Sequence, residues 1–167
     1  LLPIRMPEVF PPGADESYLK WLRQVLKCSG AICVSKAVAD DLAEWQQQAE
    51  MHFEKRRPFN IGWSHHGADL SNTFPSTGLP NDAKRVLRQI GLRPSFLMVG
   101  TIEPRKAYLQ TINAFSQLWH EGVEINLVIV GKEGWKNLPD DMRRDIPQTI
   151  ERLNTHPELN RRLFWLD

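Results

Sequence analysis

The sequence has 167 residues, of which 41% are hydrophobic and 25% charged, so it can bury a core, and its length allows one ordinary domain or parts of two. A net charge of +1 implies no bulk electrostatic attraction to nucleic acid or to an anionic membrane. No apolar run approaches the ~20 residues that a transmembrane helix needs. The opening, residues 1–5, is too short and broken for a signal peptide, and the absence of an initial Met indicates a processed chain or a fragment.

Two helix–strand pairs are predicted in the first third of the chain. Residues 1–13 carry four of the 12 prolines and no helical period, which favours an irregular loop. Asp15 can cap a first helix, and Gly30 ends it ahead of a buried strand. Ser35 follows that strand and caps a second helix, and a weaker strand is predicted at 60–64. The inner face of the second helix is predicted to carry Val38, Leu42, Trp45, Ala49 and Phe53.

The two cysteines, Cys28 and Cys33, would straddle a helix end and a strand start. We interpret them as reduced thiols in the core of a cytosolic protein. A disulfide or a metal site is the alternative.

A possible metal-binding group follows the weaker strand, where His65 and His66 precede Asp69. Adjacent histidines in a strand point to opposite faces, so the pair cannot easily share one ion. We therefore predict no metal site here and interpret one histidine, His66, as a residue facing a cleft.

A domain boundary is predicted at residues 72–80, where the composition shifts to Thr, Pro, Ser, Gly and Asn. A short helix over 82–90 follows and leads into the central strand of the second half.

The second half is organised around that strand and the residues directly after it. Residues 96–99 are an apolar run typical of a strand buried on both faces, and Gly100 ends it where the backbone turns or allows close approach. Pro104 suits a turn or a helix start, and Arg105 and Lys106 then open a helix with an apolar stripe. Cations between the carboxyl end of a strand and a helix start suit a diphosphate, whereas a solvated surface pair is the alternative.

The remaining elements repeat the pattern of strand, glycine and helix. A strand over 125–130 ends at Gly131, a helix over 143–154 is interrupted by Pro147, and a last strand covers 163–166. Alternating strands and helices predict an α/β fold with a parallel, doubly wound sheet, and both glycine-ended strands would open onto one carboxyl edge.

Five sequence blocks resemble a known family in the family's own order. They are ICVSKAVADDL at 32–42, IGW and HGAD within 61–69, VGTIEPRK at 99–106, LVIVGKEGW at 127–135 and RLFWL at 162–166. Together they resemble retaining glycosyltransferases of the two-domain GT-B fold, most of all the group-one (family four) members. Many of those are bacterial mannosyltransferases of surface-polysaccharide synthesis.

The resemblance implies an internal fragment with incomplete Rossmann-like parallel sheets. Residues 1–72 would end the acceptor-binding N-terminal domain, and residues 73–167 would begin the C-terminal domain that holds the nucleotide sugar. The family's Glu-x₇-Glu segment would lie beyond residue 167, so the catalytic residues are unknown and the fragment alone is expected to be inactive.

The resemblance also implies roles for single residues. Arg105 and Lys106 fall on the basic pair that grips the donor diphosphate, together with Gly100, and Gly131 with Lys132 falls near the nucleoside. The helix start at Ser35 would face the interdomain cleft, which makes Ser35 and His66 the cleft candidates.

Two positions depart from the family pattern. Thr101 stands where many relatives carry Arg, which removes one possible phosphate contact. Ala107 stands where many carry glycine, which narrows the freedom of the backbone.

The function implied by the resemblance is transfer of a hexose, mannose above others, from a nucleoside-diphosphate sugar, with GDP-mannose as the preferred donor. The acceptor would be a glycan or a lipid-linked glycan. No cofactor and no metal are expected, since the sequence has no Asp-x-Asp group, and no nucleic-acid partner is expected. The resemblance implies a cytoplasmic protein, with peripheral association of the full enzyme at the inner face of the membrane as an option.

Two functions of other classes stay open at this point. A nucleotide- or phosphate-binding module without catalysis would use the Arg-Lys pair equally well. A plain interaction domain would present its six tryptophans as a partner surface.

Overall fold

The computed structural model describes residues 1–50, 58–67, 81 and 83–166, without the side chains of residues 49 and 50. The described residues divide into two compact units. The first unit holds those up to residue 67 except 9–11, and the second holds 9–11 and those from residue 81 onward. The predicted boundary at 72–80 lies outside the described residues.

The first unit combines short parallel strands with helices. Its elements are α1 (Leu2–Arg5), α2 (Ala14–Val25), β1 (Gly30–Cys33), α3 (Lys36–Glu50) and β2 (Asn60–Trp63). Strands β1 and β2 are parallel, with Gly30 opposite Asn60 and Cys33 opposite Trp63. The buried core of this unit is formed by Leu22, Cys33, Ala39 and Leu42.

Several local predictions in the first unit were wrong. Residues 2–5 form α1 although an irregular loop was predicted, because the prolines lie near its start and after its end, where helices accept them. The residue preceding α2 is Gly13, at φ 78, so Asp15 lies inside the first turn. On α3, Val38 is exposed and Ala39 takes the buried position three residues before Leu42.

The two cysteines differ from each other in environment. Both are free thiols, and Cys33 is buried in the core of the first unit as predicted. Cys28, however, is exposed, because it lies in the turn after α2 and not on a packed face. The prediction of two core thiols was therefore wrong for Cys28.

The second unit is a three-stranded parallel sheet with helices in its connections. Its elements are α4 (Ala83–Ile90), β3 (Ser95–Val99), α5 (Tyr108–His120), β4 (Asn126–Val130), α6 (Ile146–Thr155) and β5 (Leu163–Leu166). The strand order is β3-β4-β5, and both strand pairs are parallel. The predicted α/β fold with parallel strands in open sheets is confirmed.

Helix α5 provides one side of the core of the second unit. Its buried residues recur at the spacing of one helical face, as predicted, and they are Tyr108, Ile112, Phe115 and Trp119. They pack with Leu127 and Ile129 of β4 and with Leu163 of β5. This packing fixes the start of α5 near the carboxyl ends of the strands.

Strand β3 is less buried than its apolar sequence predicted. Phe96, Leu97 and Val99 are 55%, 64% and 68% exposed. Within the described sheet β3 pairs only with β4, so it is an edge strand, whereas β4 lies in the middle and is buried from Asn126 to Ile129. The prediction of a strand buried on both faces was wrong for this reason.

Helix α6 also differs from its prediction. It begins at Ile146, later than predicted, and Pro147 lies in its first turn. Because proline is accepted there, Pro147 starts the helix and does not interrupt it. None of the helices described above has the length and apolar content needed to cross a membrane.

Candidate functional site

The two loops that follow β3 and β4 run side by side. The Gly100 N–H donates to the Val130 carbonyl at 2.9 Å, and the Ile102 N–H donates to the Lys132 carbonyl at 2.8 Å. The Gly134 N–H in turn donates to the Ile102 carbonyl at 3.1 Å. Parallel pairing therefore continues beyond the strands and joins the two predicted ligand-binding loops. We call them together the strand-end site, residues 100–106 and 131–135.

Glycine is required where the two strands end. Gly100 has φ 138, a conformation that L side chains rarely adopt. A Cβ on Gly131 would collide with the carbonyl oxygen of Gly100. The backbones of the two strand ends thus touch, and neither position accepts a side chain.

Two aromatic side chains hold these glycines from outside the loops. The Tyr108 hydroxyl donates to the Gly100 carbonyl at 2.6 Å, and the Trp165 indole N–H donates to the Gly131 carbonyl at 2.8 Å. Burial, and then the nearby charge of Glu103, raises the pKa of Tyr108. The sequence analysis missed both roles, although a polar tip on a large apolar ring is a sign that such a residue needs a hydrogen-bond partner.

The two predicted phosphate-binding cations lie just before α5. Pro104, Arg105 and Lys106 form a separate 3-10 turn, and Ala107 follows in the left-handed region at φ 54, ψ 36. Helix α5 then begins at Tyr108. The expectation that the cations open the helix itself was wrong, because the left-handed Ala107 separates the turn from the helix.

The two cations have different surroundings. The Nε of Arg105 lies 2.8 Å from Oε2 of Glu103, and the Arg105 side chain is partly exposed. Lys106 folds back over the strand end, so a Cβ on Gly100 would collide with its Nζ. Among the described residues no carboxylate forms an ion pair with Lys106. The strand-end site therefore places Lys106 against Gly100, with Arg105 in the same 3-10 turn.

The loop after β4 is held by a buried arginine that the sequence analysis did not single out. Arg143 donates through Nη2 to Glu133 and to the Gly134 carbonyl, and through Nη1 to Asp140 at 2.9 Å. The hydrogen bond to Glu133 raises the pKa of Arg143. Lys132 is exposed in the same loop, directly after Gly131. The structure thus gives the predicted nucleoside-side residues a fixed backbone.

Thr101 and Gly134 meet across the strand-end site. A Cβ on Gly134 would lie 2.6 Å from the Ile102 carbonyl oxygen and 3.1 Å from Cγ2 of Thr101. Thr101 is therefore packed against the neighbouring loop.

The cleft candidates of the first unit lie after its two strands. The Ser35 hydroxyl accepts a hydrogen bond from the Val38 N–H at 3.3 Å, which is the predicted cap of α3. His66 is exposed, whereas His65 contacts the Trp63 ring with a centroid distance of 5.2 Å. Asp69 lies outside the described residues, and no three metal-binding side chains cluster within the ranges that the structure describes.

Comparison with known proteins indicates which kind of reaction this site is related to. Curated Escherichia coli proteins described as serotype-specific mannosyltransferase WbdA are 40% identical to this chain over 168 residues, which cover 99% of the chain. This chain is similar to a segment of a mannosyltransferase. The matched segment makes up 19% of each relative, so the chain spans about a fifth of their length. No protein-family model and no solved structure matches the sequence.

Proposed function

We propose that this chain is part of a retaining glycosyltransferase of the two-domain GT-B type. The enzyme transfers a hexose, mannose above others, from a nucleoside-diphosphate sugar to a glycan or lipid-linked acceptor in polysaccharide synthesis. GDP-mannose is the first donor to test. The first unit belongs to the acceptor-binding domain, and the second unit begins the donor-binding domain.

The observation that carries this proposal is the 40% identity to a mannosyltransferase segment along 99% of the chain. The strand-end site supports it, since Lys106 folds over Gly100 and Arg105 lies in the same turn, at the carboxyl edge of a parallel sheet, where open α/β sheets bind ligands. The similarity to an enzyme also favours transfer over the alternative of a binding module without catalysis.

The chemistry follows from charge. Negative charge grows on the diphosphate as it leaves the sugar, and cations at the strand-end site stabilise that charge more in the transition state than in the ground state. Arg105 supplies a planar fork for phosphate oxygens, and Lys106 supplies a point charge. Gly131 and Lys132 lie on the nucleoside side of the diphosphate.

The test is a titration of the 167-residue chain with GDP, UDP and ADP, in which the change of NMR chemical shifts measures the binding affinity. Arg105 and Lys106 can each donate a charge-assisted hydrogen bond to the diphosphate, and the loss of ligand entropy on binding offsets part of this gain. We therefore expect a dissociation constant of about 1 mM. Arg105→Ala and Lys106→Ala should each weaken binding about tenfold, as expected for the loss of one such bond. Lys132→Ala should weaken it less, and added salt should weaken binding to the wild type.

Arg161→Ala is the matched control. It also removes one positive charge from an exposed side chain of the second unit, but at the amino end of β5, the opposite edge of the sheet. It should leave the affinity unchanged. Diphosphate binding whose affinity is unchanged in Arg105→Ala would refute the phosphate-binding role of the strand-end site. Catalysis is tested on a longer protein that contains this chain. If that protein binds GDP but transfers no sugar from labelled donors, the proposal of a glycosyltransferase is refuted.

A further inference from the structure

Glu103 introduces a negative charge into a site proposed to bind a diphosphate. Its Oε2 lies 2.8 Å from the Arg105 Nε, and its side chain is only 17% exposed. By Coulomb's law alone, a carboxylate at this position weakens the binding of an anion. We therefore looked for a contribution of Glu103 to binding that offsets this unfavourable charge.

The surroundings of Glu103 hold its side chain in place. Its backbone is extended at φ −141, ψ 150, directly before Pro104, which limits the conformations of the preceding residue. On the side of the neighbouring loop, a Cβ on Gly134 would lie only 3.1 Å from the Glu103 Cγ. Glu103 is thus confined between the loop after β4 and the guanidinium of Arg105.

The ion pair with Glu103 leaves the two terminal nitrogens of the Arg105 guanidinium available for a ligand. A guanidinium has five N–H donors in a fixed plane, and the contact with Glu103 is made through Nε. The two terminal nitrogens, which provide the fork for phosphate oxygens, are outside that contact. A side chain with many rotamers is thereby restricted before any ligand arrives.

We propose that Glu103 is a positioning residue of the diphosphate site. It holds Arg105 by Nε and directs the terminal nitrogens toward the phosphates, so that less conformational entropy is lost on binding. This inference rests on the proposed function, because it requires that Arg105 bind a diphosphate.

The test uses the sign of the effect on GDP affinity in the 167-residue chain. Removal of an acidic residue near an anion tightens binding if charge alone matters, whereas loss of positioning weakens it. Glu103→Ala should weaken binding about threefold to tenfold, the range expected for ordering one long side chain. Glu103→Gln keeps the length of the side chain but removes its charge, so the ion pair with Arg105 is lost and binding should weaken in the same direction as in Glu103→Ala.

A double-mutant cycle isolates the dependence on Arg105. In the Arg105→Ala background, Glu103→Ala should no longer weaken binding and should tighten it slightly, since only the charge effect is left. An independent readout is the Arg105 Nε–H signal in NMR spectra, assigned by its loss in Arg105→Ala. We expect its ¹⁵N relaxation to show a restricted side chain in the wild type and a more mobile one in Glu103→Ala and Glu103→Gln.

The outcomes distinguish this inference from the proposed function. If Arg105→Ala weakens GDP binding while Glu103→Ala leaves it equal or tighter, the positioning role is refuted and the phosphate site stands. If the wild type binds no diphosphate, or Arg105→Ala changes nothing, the proposed function fails and the role of Glu103 fails with it. The positioning role is also refuted if Glu103→Ala weakens GDP binding equally in the wild type and in the Arg105→Ala background. That result would indicate a general loss of structure.

Discussion

At the scale of single residues, Ala107 shows a local conflict between sequence and backbone. It lies at φ 54, ψ 36, a left-handed conformation that costs an L-residue about 1–2 kcal/mol. Glycine adopts this conformation without strain. The strain lies directly between the cations of the strand-end site and α5.

We expect Ala107→Gly to stabilise the protein by up to about 1 kcal/mol, since relief of strain exceeds the added entropy of unfolded glycine. The matched control is Ala114→Gly, the same substitution at an exposed interior position of α5, which should destabilise by about 1 kcal/mol. Urea unfolding of the two variants measures both values. Equal destabilisation by both would contradict the left-handed conformation of Ala107.

His156 is a second residue whose environment sets its chemistry. Its Nδ1 accepts the Glu158 N–H at 3.1 Å, and its Nε2 lies 2.8 Å from the Ser116 hydroxyl. The Ser116 hydroxyl donates to the Ile112 carbonyl at 2.7 Å, so Nε2 carries the proton of a neutral ring. Burial, and then the charge of Arg152, lowers the pKa of His156, partly offset by Glu158.

This environment predicts a pH dependence of stability. Because the folded pKa is lowered, the unfolded state binds the extra proton more readily as pH falls. The contribution of His156 is complete above the unfolded value near 6.5 and is lost as pH falls from there through the folded pKa. Urea midpoints at pH 7.5 and 5.5 should therefore differ more in the wild type than in His156→Asn. Equal differences would refute the neutral buried ring.

At the scale of elements, α3 shows how one side chain begins a helix. The Ser35 hydroxyl accepts the Val38 N–H, one of the free donors of the first turn of α3. The helix then buries Ala39 and Leu42 in the core of the first unit. The Ser35 cap and the burial of Ala39 and Leu42 therefore both stabilise the first turns of α3.

Ser35→Ala should cost about 1 kcal/mol of stability, as typical for loss of a helix cap. Ser17→Ala is the control, since Ser17 is exposed inside α2 and alanine is the better helix former there, which predicts a gain of a few tenths of a kcal/mol. Thermal or urea unfolding of the first unit measures both. No loss of stability in Ser35→Ala would remove its capping role.

At the scale of the whole molecule, position in the sheet decides how much each strand contributes to stability. Strands β3 and β4 have similar apolar sequences, but β4 lies between two neighbours and β3 has one within the described sheet. Leu97 is consequently 64% exposed, whereas Ile129 is completely buried. The two units are each built around parallel strands in this way.

We expect Leu97→Ala to cost less than about 1 kcal/mol, because little apolar surface leaves the core. Ile129→Ala should cost about 2–5 kcal/mol, as truncation leaves a cavity in a packed interior. Urea unfolding of the second unit compares them directly. A large loss from Leu97→Ala would contradict the exposed edge.

Periodicity in the sequence was sufficient to predict most strands and helices of the two units. The apolar face of α5 and the strand at 163–166 were predicted residue by residue, because each depends on spacings within one element. The same local reasoning identified glycines and cations at a strand end, where the structure places Lys106 against Gly100 and Gly131 against the Gly100 carbonyl. The residues that the resemblance assigned to donor binding stay a prediction.

Other features were decided by tertiary structure alone. The hydrogen bond from Trp165 to the Gly131 carbonyl joins residues 34 positions apart, and no local pattern predicts it. The burial of β4 and the exposure of β3 follow from their order in the sheet, since both have the apolar composition of a buried strand. The sequence by itself therefore determined the kind of elements and the chemistry at their ends. Packing between distant segments determined which strand is buried, which carbonyls the aromatic side chains hold, and how the loops of the strand-end site meet.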